Sequence, residues 1–266
     1  MSRKGKIHIA FRITGAALTV TAILVVAHFY FGTSGLAFDW KEIIPGLSYA
    51  DAASEGSGLT DSFHLQLFLV DLDLFRVKAG DARSYGKGMK KAFVHEMATR
   101  SGAVLVVNGS FFDEFDRPLG LVISEGKILN PFRRADWGVL YVSDGRAGLL
   151  HTRDWNERKP ENVDFAIQVG PRIVVGGKPT TLKNQVARRA LIGIMNGGKK
   201  LLVAITDKGR AESNELARLI ASMGCSDAVM MDGGPSAQLY AEAGSFRMDV
   251  PGGWGVPIGV AFFPEK

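Results

Sequence analysis

The segment 228–236 places a carboxylate, two glycines and a hydroxyl directly after a short apolar run. The run reads Ala-Val-Met-Met, and four residues behind it could contact a ligand: Asp232, Gly233, Gly234 and Ser236. A strand that ends in Asp-Gly-Gly brings its carboxylate to a sheet edge, where the backbone turns sharply and approaches a ligand closely. Asp-Gly and Gly-Pro are also common turn sequences, so this segment alone fits a simple turn equally well.

A second segment repeats this arrangement. The apolar run 103–107 leads into Asn108 and Gly109, and a carboxylate, Asp113, follows four positions later. Two apolar strands that each end in a polar residue and a glycine predict one shared site at a sheet edge.

Strand patterns dominate the chain beyond residue 60, and helical periodicity is found in two segments. Helices are predicted at 89–100 and 213–223, with Ser213 as the N-cap of the second helix and Gly224 just past its end. Strands are predicted at 64–71, 75–79, 103–107, 120–124, 138–142, 165–169, 172–175, 190–195, 201–206, 228–231 and 258–263. The predicted fold class is α+β, with a mixed, strand-rich sheet core and two or more helices, preceded by one N-terminal transmembrane helix.

Five blocks in this order resemble the phosphodiester glycosidase family. The family pattern runs Asn-Gly-Gly-Phe-Phe, Gln-x-Gly-Pro, Arg-x-Ala-Ile-Gly and Leu-Asp-Gly-Gly-Gly-Ser, followed by an apolar closing strand. The corresponding residues here are 108–112, 168–171, 189–193, 231–236 and 256–260. Each block alone is weak evidence, but five blocks in the right order and spacing are specific, and together they cover roughly residues 60–264.

Three positions depart from that pattern. Ser110 replaces the second glycine of the first block, Leu191 replaces an alanine, and Pro235 replaces the third glycine of the last full block. Because proline has no backbone N–H, a phosphate held by a row of amides at Pro235 would lose one donor. The departures bear on ligand geometry rather than on the resemblance itself.

The resemblance implies a hydrolase that cleaves a sugar-1-phosphodiester, with a phosphodiester-linked carbohydrate as its partner. Cleavage of the sugar C1–O bond develops positive charge that a carboxylate stabilises, either as nucleophile or as base toward water. Asp232 is the first candidate for this carboxylate and Asp113 the second. The anionic phosphate requires a cation. Arg189 is the first candidate and Arg172 the second, although an arginine paired to a surface carboxylate is the alternative for Arg189.

The remaining site residues are predicted to bind substrate rather than to react with it. They are Asn108, Gly109, Gln168, Asp207, Gly233, Gly234 and Ser236. Asp207 ends a predicted strand and fits a turn residue equally well. The histidines show no metal-ligand spacing, so no metal or other cofactor is predicted. A divalent cation held by Asp113, Asp207 and Asp232 is the one chemically sensible metal option.

The N-terminal segment predicts a membrane anchor. Four basic residues precede the apolar stretch 13–31 and no acidic residue occurs before Asp39. Nineteen helical residues span about 28 Å, enough to cross a hydrocarbon core, and the basic flank predicts a cytoplasmic N-terminus. A cleaved signal peptide is the main alternative. The predicted organisation is a basic tail and transmembrane anchor at 1–35, a connector with at most one short strand at 36–60, and a phosphodiester-glycosidase-like domain at 61–266.

Charge and cysteine content exclude other classes. The chain carries 32 Lys plus Arg against 27 Asp plus Glu, and without the four N-terminal basic residues the net charge falls from +5 to +1. Nucleic acid is therefore not an expected partner. The single cysteine, Cys225, allows no internal disulfide and is predicted to be buried and inert. The expected location is the cytoplasmic membrane, with the C-terminal domain in the periplasm or outside the cell.

The predicted function is an exported hydrolase that cleaves a glycosyl phosphodiester in envelope or extracellular polysaccharide. Two other functions are consistent with the same residues. One is a non-catalytic carbohydrate-binding or polysaccharide-assembly module, and the other is a metal-dependent phosphodiesterase that cuts the P–O bond.

Overall fold

The computed structural model describes residues 38–54 and 62–265. Strands make up most of the regular structure in these residues. In chain order they are β1 (Lys41–Ile44), β2 (Leu47–Ser54), β3 (Phe63–Asp71), β4 (Phe75–Asp81), β5 (Leu105–Asn108), β6 (Val122–Ser124), β7 (Lys127–Asn130), β8 (Gly138–Ser143), β9 (Arg146–His151), β10 (Phe165–Val169), β11 (Arg172–Val175), β12 (Lys178–Pro179), β13 (Val186–Ala187), β14 (Ala190–Met195), β15 (Lys200–Gly209), β16 (Ala211–Glu212), β17 (Asp227–Met230), β18 (Leu239–Ala243), β19 (Phe246–Val250) and β20 (Ile258–Pro264). The α-helices of the described residues are α1 (Val94–Ser101), α2 (Trp155–Arg158) and α3 (Ser213–Ser222).

The strands form three larger sheets and one two-stranded ribbon. The large sheet has the order β1-β2-β3-β15-β14-β17-β11-β12, the second sheet β7-β6-β10-β8-β9 and the third sheet β19-β18-β5-β20-β4, while β13 pairs with β16. Every strand pair within the described residues is antiparallel. The prediction of a strand-rich α+β core is confirmed. The sheets are not mixed in direction, because β14 lies between β15 and β17 and keeps the crossover through α3 from making parallel neighbours.

The main core lies where one face of each sheet meets the others. Three of its fully buried side chains, Phe68, Phe165 and Phe262, come from β3, β10 and β20, one strand of each sheet. Burial of such a side chain contributes about 1.5–3 kcal/mol relative to an exposed one. The central sheets are therefore held together by apolar contacts. These contacts fix the positions of the turns between their strands.

Both faces of the large sheet are covered. Along β15, Leu201 and Val203 point into the main core, whereas Leu202 and Ala204 point into a second core that contains α3. This is the period-two alternation of a strand. Because both faces are buried, β15 reads in sequence as an unbroken apolar run.

The two predicted helices are present with different starts. Helix α1 begins at Val94 rather than at 89, because Ala92 forms an antiparallel bridge with Val256 and keeps this part extended. The N-cap of α3 is Glu212, whose carboxylate accepts hydrogen bonds from the backbone of Asn214 and Glu215. The predicted cap, Ser213, is wrong by one residue. As predicted, a glycine (residue 224) in the left-handed region follows this helix.

The residues before the predicted domain also belong to the large sheet. Strand β2 pairs with β3 over its full length and buries Leu47 and Ala50, and β1 adds a further edge strand. The sequence predicts at most one short strand here, because the Ala- and Ser-rich pattern of 47–54 is weak and its pairing partner decides the structure. The predicted anchor at 1–35 lies outside the described residues. Within residues 38–54 and 62–265, no helix is long and apolar enough to span a membrane.

Candidate active site

The two turns that the sequence singled out adjoin in the structure. The backbone N–H of Asp232 donates to the carbonyl oxygen of Gly109 at 3.0 Å, and the Asn108 side-chain amide donates to the carbonyl oxygen of Asp232 at 2.7 Å. Asn108 ends β5 of the third sheet, whereas Asp232 lies two residues beyond β17 of the large sheet. The site is therefore built where two sheets meet, and both turns are fixed by strands with buried side chains.

Asn108 acts as a clamp in this arrangement. Its side chain is fully buried, and its amide oxygen accepts a hydrogen bond from the backbone of Gln238 at 3.1 Å. The expectation that Asn108 binds sugar hydroxyls is therefore corrected, because both ends of its amide hold the loop that carries Asp232. Gly109 is required by packing: a Cβ there would lie 2.8 Å from the carbonyl oxygen of Ile258.

The Asp232 carboxylate is half-buried and carries no ion pair with any described residue. Burial raises the pKa of Asp232 above its usual range, while hydrogen bonds from the Ser236 hydroxyl and the Gly233 backbone act in the opposite direction. Desolvation disfavours a charged carboxylate and donated hydrogen bonds favour it. The carboxylate is thus poised between two opposing influences rather than neutralised by a cation.

The short 3₁₀ turn Gly234–Ser236 determines which acceptors the backbone N–H groups of this segment contact. The Gly234 N–H donates to the carbonyl oxygen of Arg188 at 2.9 Å, and the Gly233 N–H is directed at the Asp232 carboxylate. The Gly234 amide is therefore occupied within the protein and is not free to bind substrate as expected. The expectation that Gly233 binds substrate stays a prediction. Ser236 is also almost fully buried.

Arg189, the first cationic candidate, lies beside the Asp232 turn. Its guanidinium donates from Nη2 to the carbonyl oxygen of Gln185 at 2.8 Å and to the hydroxyl of Ser213 at 3.0 Å. A Cβ built on Gly233 would lie 3.7 Å from its Nη1, so the guanidinium lies against the turn that carries Asp232. Burial lowers the pKa of Arg189, and the charge of Glu212 acts in the opposite direction.

Several polar atoms around these turns have no hydrogen-bond partner. Four buried side-chain atoms of the described residues are unpaired, and three of them belong to Ser110, Arg188 and Arg189. Ser110 directly follows Gly109, and the backbone oxygen of Arg188 contacts the turn at Gly234. Since buried polar groups are nearly always paired, unpaired arginine Nε–H groups here are suited to a ligand rich in oxygen acceptors.

Gln168 has a structural role in place of the predicted substrate contact. It is fully buried, and its amide oxygen accepts from the backbone of Leu121 at 2.8 Å and of Arg133 at 3.0 Å. Its amide nitrogen donates to the carbonyl oxygen of Arg133 at 2.5 Å. Because both ends of the amide are occupied, Gln168 fixes two loops of the second sheet.

The second cationic candidate, Arg172, packs its alkyl chain over the sheet, since a Cβ on Gly138 would lie 2.8 Å from Arg172 Cγ.

The two other predicted carboxylates are engaged elsewhere. Asp113 accepts from the guanidinium of Arg117 at 2.8 Å and from the backbone of Phe115 and Arg117, and the hydrogen bonds from Arg117 lower the pKa of Asp113. Asp207 accepts from Gln66 at 2.8 Å and contacts His64 at 2.7 Å. Burial alone would raise the pKa of Asp207, but these bonds outweigh it and lower the pKa.

Asp113 and Asp207 therefore serve a turn and a strand cluster, and no described contact joins either of them to Asp232. Within the described residues, no three or more His, Cys, Asp or Glu side chains lie together in a group that could hold a metal ion. A cavity of about 400 Å³ lies beside α3 and does not include Asp232. Its lining residues are Pro179, Thr180, Thr181, Asn184, Glu212, Asn214 and Arg218.

Three residues of the site escaped the sequence analysis. Trp254 donates its indole N–H to the Ser236 hydroxyl at 2.9 Å. Thr206 accepts from the backbone of Arg189 at 2.7 Å, and Gln238 links the site loop to α1 through the backbone of Val94 at 3.0 Å. An aromatic residue flanked by glycines, as in Gly-Gly-Trp-Gly, is a signal that could have identified Trp254. Cys225, by contrast, is buried as predicted, and burial raises its pKa to about 12.

Known proteins resemble this chain in both sequence and fold. The family model described as phosphodiester glycosidase matches residues 101–263, more than half of the 266-residue chain. No curated protein matches the sequence. The catalytic domain of zebrafish N-acetylglucosamine-1-phosphodiester alpha-N-acetylglucosaminidase, auto-inhibited by its pro-peptide, has a similar fold, with a TM-score of 0.63 and 16% identity over 88% of this chain and 90% of that chain.

Two further solved structures share the fold. A hypothetical protein from Synechocystis matches with a TM-score of 0.60 and 13% identity over 87% of this chain. This chain spans only 64% of the length of the Synechocystis chain. A protein from Burkholderia pseudomallei matches with a TM-score of 0.56 and 12% identity over 76% of this chain and 74% of that chain.

Proposed function

Because the chain belongs to the phosphodiester glycosidase family, we propose that it is a hydrolase that cleaves the sugar C1–O bond of a glycosyl phosphodiester. One observation carries this proposal above the others. Asp232, a half-buried carboxylate without an ion pair among the described residues, lies next to Gly233, and the guanidinium of Arg189 packs against that same glycine. A carboxylate and a cation that lie close together without neutralising each other suit a glycosyl phosphodiester. In the transition state this substrate is positive at the sugar C1 and negative at the phosphate.

Asp232 is the residue that stabilises the reacting sugar carbon. Breaking the C1–O bond gives an oxocarbenium-like transition state, and an ionised carboxylate beside it acts either as nucleophile or as base toward water. The hydrogen bonds from Ser236 and Gly233 favour the ionised form that either role requires. The side-chain amide of Asn108 donates to the carbonyl oxygen of Asp232 at 2.7 Å and so fixes the position of the Asp232 backbone.

Arg189 binds the phosphate and stabilises it as it leaves. The leaving group is a phosphate monoester with a second pKa of about 6, so it departs without protonation by a general acid. The unpaired Nε of Arg189 provides a charge-assisted donor for a phosphate oxygen. One carboxylate and one arginine are then sufficient for the chemistry, in contrast to the paired carboxylates of ordinary glycosidases.

We also propose that the domain acts outside the cytoplasm on envelope or extracellular polysaccharide, held at the membrane by its N-terminal segment. The basic cluster followed by nineteen apolar residues at 13–31 supports this location. A reporter enzyme fused to the C-terminus tests it: activity of a periplasmic reporter is expected. Activity of a reporter that works only in the cytoplasm would contradict the location.

Hydrolysis in ¹⁸O-labelled water tests the reaction itself. The zebrafish protein is described as acting on an N-acetylglucosamine-1-phosphodiester, so the methyl phosphodiester of N-acetylglucosamine 1-phosphate is the first substrate, followed by its glucose counterpart. Label in the released sugar shows C–O cleavage, as proposed. Label in the phosphate, together with loss of activity in EDTA, would instead show a metal-dependent phosphodiesterase. Binding of both diesters without turnover would indicate a carbohydrate-binding module.

A further inference from the structure

Trp254 lies in the loop between β19 and β20 and contacts the Asp232 turn. Its backbone oxygen accepts from the side-chain amide of Gln238 at 2.9 Å, and its indole N–H donates to the hydroxyl of Ser236 at 2.9 Å. Glycines allow this close approach, because a Cβ on Gly253 would lie 3.0 Å from Cβ of Pro235. The indole is nevertheless 46% exposed. A large aromatic side chain is thus held at the surface by its polar end.

The hydrogen bond from Trp254 sets the direction of the next one. An indole N–H can only donate, and a serine hydroxyl has a single proton. Since the Ser236 oxygen accepts from Trp254, its proton is free to be donated, and the Asp232 carboxylate four residues earlier is the acceptor on whose pKa this hydroxyl acts. An ionised carboxylate can only accept. Donation therefore runs in one direction, from the Trp254 indole to the Ser236 hydroxyl and from that hydroxyl to the Asp232 carboxylate.

We propose that Trp254 is a positioning residue, which acts through Ser236 to fix the turn that carries Asp232 and so to orient the Asp232 carboxylate. The catalytic meaning of this relay rests on the function proposed above. Chains of hydrogen bonds polarise one another and so strengthen the last bond of the chain.

The charged groups near the turn do not depend on the relay. They are Arg189, against Gly233, and Arg188, whose backbone oxygen would lie 3.0 Å from a Cβ on the same glycine. Glu212 acts on Arg189 through its charge. Because tryptophan and serine are uncharged, replacing either leaves these groups in place. A change in the ionisation of Asp232 in such variants therefore reports the hydrogen bonds themselves.

A double-mutant cycle tests the relay. The variants are Trp254→Phe, which keeps an aromatic ring but loses the donor, Ser236→Ala, and the two combined. The readouts are the pKa of Asp232, from ¹³C NMR titration of its carboxyl carbon, and the acidic limb of kcat/KM against pH. We expect both to rise by about half a unit in Trp254→Phe and by about one unit in Ser236→Ala. The combined variant is expected to match Ser236→Ala, because Trp254 acts through Ser236.

Trp40→Phe is the matched control, since Trp40 precedes β1, an edge strand separated from β17 by four strands of the large sheet. It should leave the pKa of Asp232 unchanged. If Ser236→Ala does not fold, Ser236→Cys, a weaker donor of similar size, replaces it. An unchanged pKa in Trp254→Phe, or an equal shift when Ser236 is already absent, would overturn the proposal. The NMR readout needs no turnover, so failure of the relay is distinguishable from failure of the proposed reaction.

Discussion

Asp207 lies two residues before the end of β15 and Asp232 two residues beyond the end of β17, both in the large sheet, yet they have opposite surroundings. Asp207 contacts His64 at 2.7 Å and Gln66 at 2.8 Å, and these bonds lower its pKa. Asp232 has no ion pair within the described residues, and burial raises its pKa. A pKa perturbed toward the neutral form by burial is typical of functional carboxylates. The difference shows that the partner of a strand-end carboxylate, and not its position, indicates its role.

The His64 cluster illustrates the structural alternative. His64 contacts Asp207 through one ring nitrogen at 2.7 Å and Asp51 through the other at 3.0 Å. Two carboxylates that face the two ring nitrogens favour the imidazolium form, in which both nitrogens donate, and the pKa of His64 is accordingly raised. Asp51, His64 and Asp207 lie on β2, β3 and β15, three neighbouring strands. This cluster therefore joins neighbouring strands, whereas the carboxylate of Asp232 has no charged partner among the described residues and is available to a ligand.

Asp232→Asn should have the largest effect on activity. The change is nearly isosteric and keeps hydrogen bonding, but it removes the charge that stabilises the transition state. We expect kcat to fall by roughly two or more orders of magnitude, with little change in affinity for the anionic diester. Steady-state kinetics and the melting temperature are measured together. Unchanged turnover with a lower melting temperature would assign Asp232 a structural role like that of Asp207.

Arg189→Lys should have the next largest effect, and it should depend on the leaving group. Lysine cannot contact both Gln185 and Ser213 and still present an Nε donor. We expect kcat/KM to fall roughly tenfold to a hundredfold for the glycosyl phosphodiester. A 4-nitrophenyl glycoside of the same sugar is the control, because it carries no phosphate. Equal losses on both substrates would show that Arg189 supports the fold and does not bind the phosphate.

Asn108→Ala should reduce both stability and turnover. It removes the bond at 2.7 Å to the Asp232 carbonyl and leaves the Gln238 N–H without its side-chain acceptor, at a fully buried position. Unsatisfied buried groups of this kind cost about 1–3 kcal/mol, measurable by urea unfolding. Gln66→Ala is the matched control, since Gln66 is a buried amide that bonds Tyr49 and Asp207. It should lower stability but leave turnover intact; equal losses of turnover would remove Asn108 from the site.

Much of the frame could be predicted from the sequence. Apolar runs such as 201–206 identify strands because both faces of the large sheet are buried. The strand-to-glycine pattern occurs twice, and together with the order of the family blocks it predicts Asn108 and Asp232 at one site. In both cases the local pattern and the tertiary structure agree, which is the condition under which sequence reasoning succeeds.

The partners of polar side chains could not be predicted in the same way. Asn108, Gln168 and Asp207 have the residue types of a sugar site, but each is occupied by backbone or side-chain groups distant in sequence. Gln168, for example, bonds Arg133, thirty-five positions away. Such pairings depend on how sheets meet and leave no periodic signal. Asp113 is different, because its partner Arg117 is four residues away and a local turn could have been recognised.

The His64 cluster should make stability depend on pH to a modest degree. Burial alone would lower the pKa of His64, but its bonds to Asp207 and Asp51 outweigh it, so the folded pKa lies above the unfolded value of about 6.5. This contribution to stability is fully present below about pH 6.5 and is lost as the pH rises through the folded pKa. We expect His64→Gln to melt about 2–4 °C below the wild type at pH 6, with a smaller gap at pH 9. A gap independent of pH would contradict the imidazolium assignment.

Asp113→Asn should have the smallest effect, and it distinguishes the second carboxylate candidate from the first. Asparagine retains an oxygen that can accept from the backbone of Phe115 and Arg117, so the turn is preserved. What is lost is the ion pair with Arg117, whose side chain is 68% exposed. Exposed ion pairs contribute little, and Asp113 is engaged by Arg117 rather than by the Asp232 turn. We therefore expect unchanged kcat and KM for the diester, measured beside Asp232→Asn. A fall in kcat approaching that of Asp232→Asn would place both carboxylates in one site, as in an ordinary glycosidase, and would end the contrast between a free carboxylate and its paired neighbours.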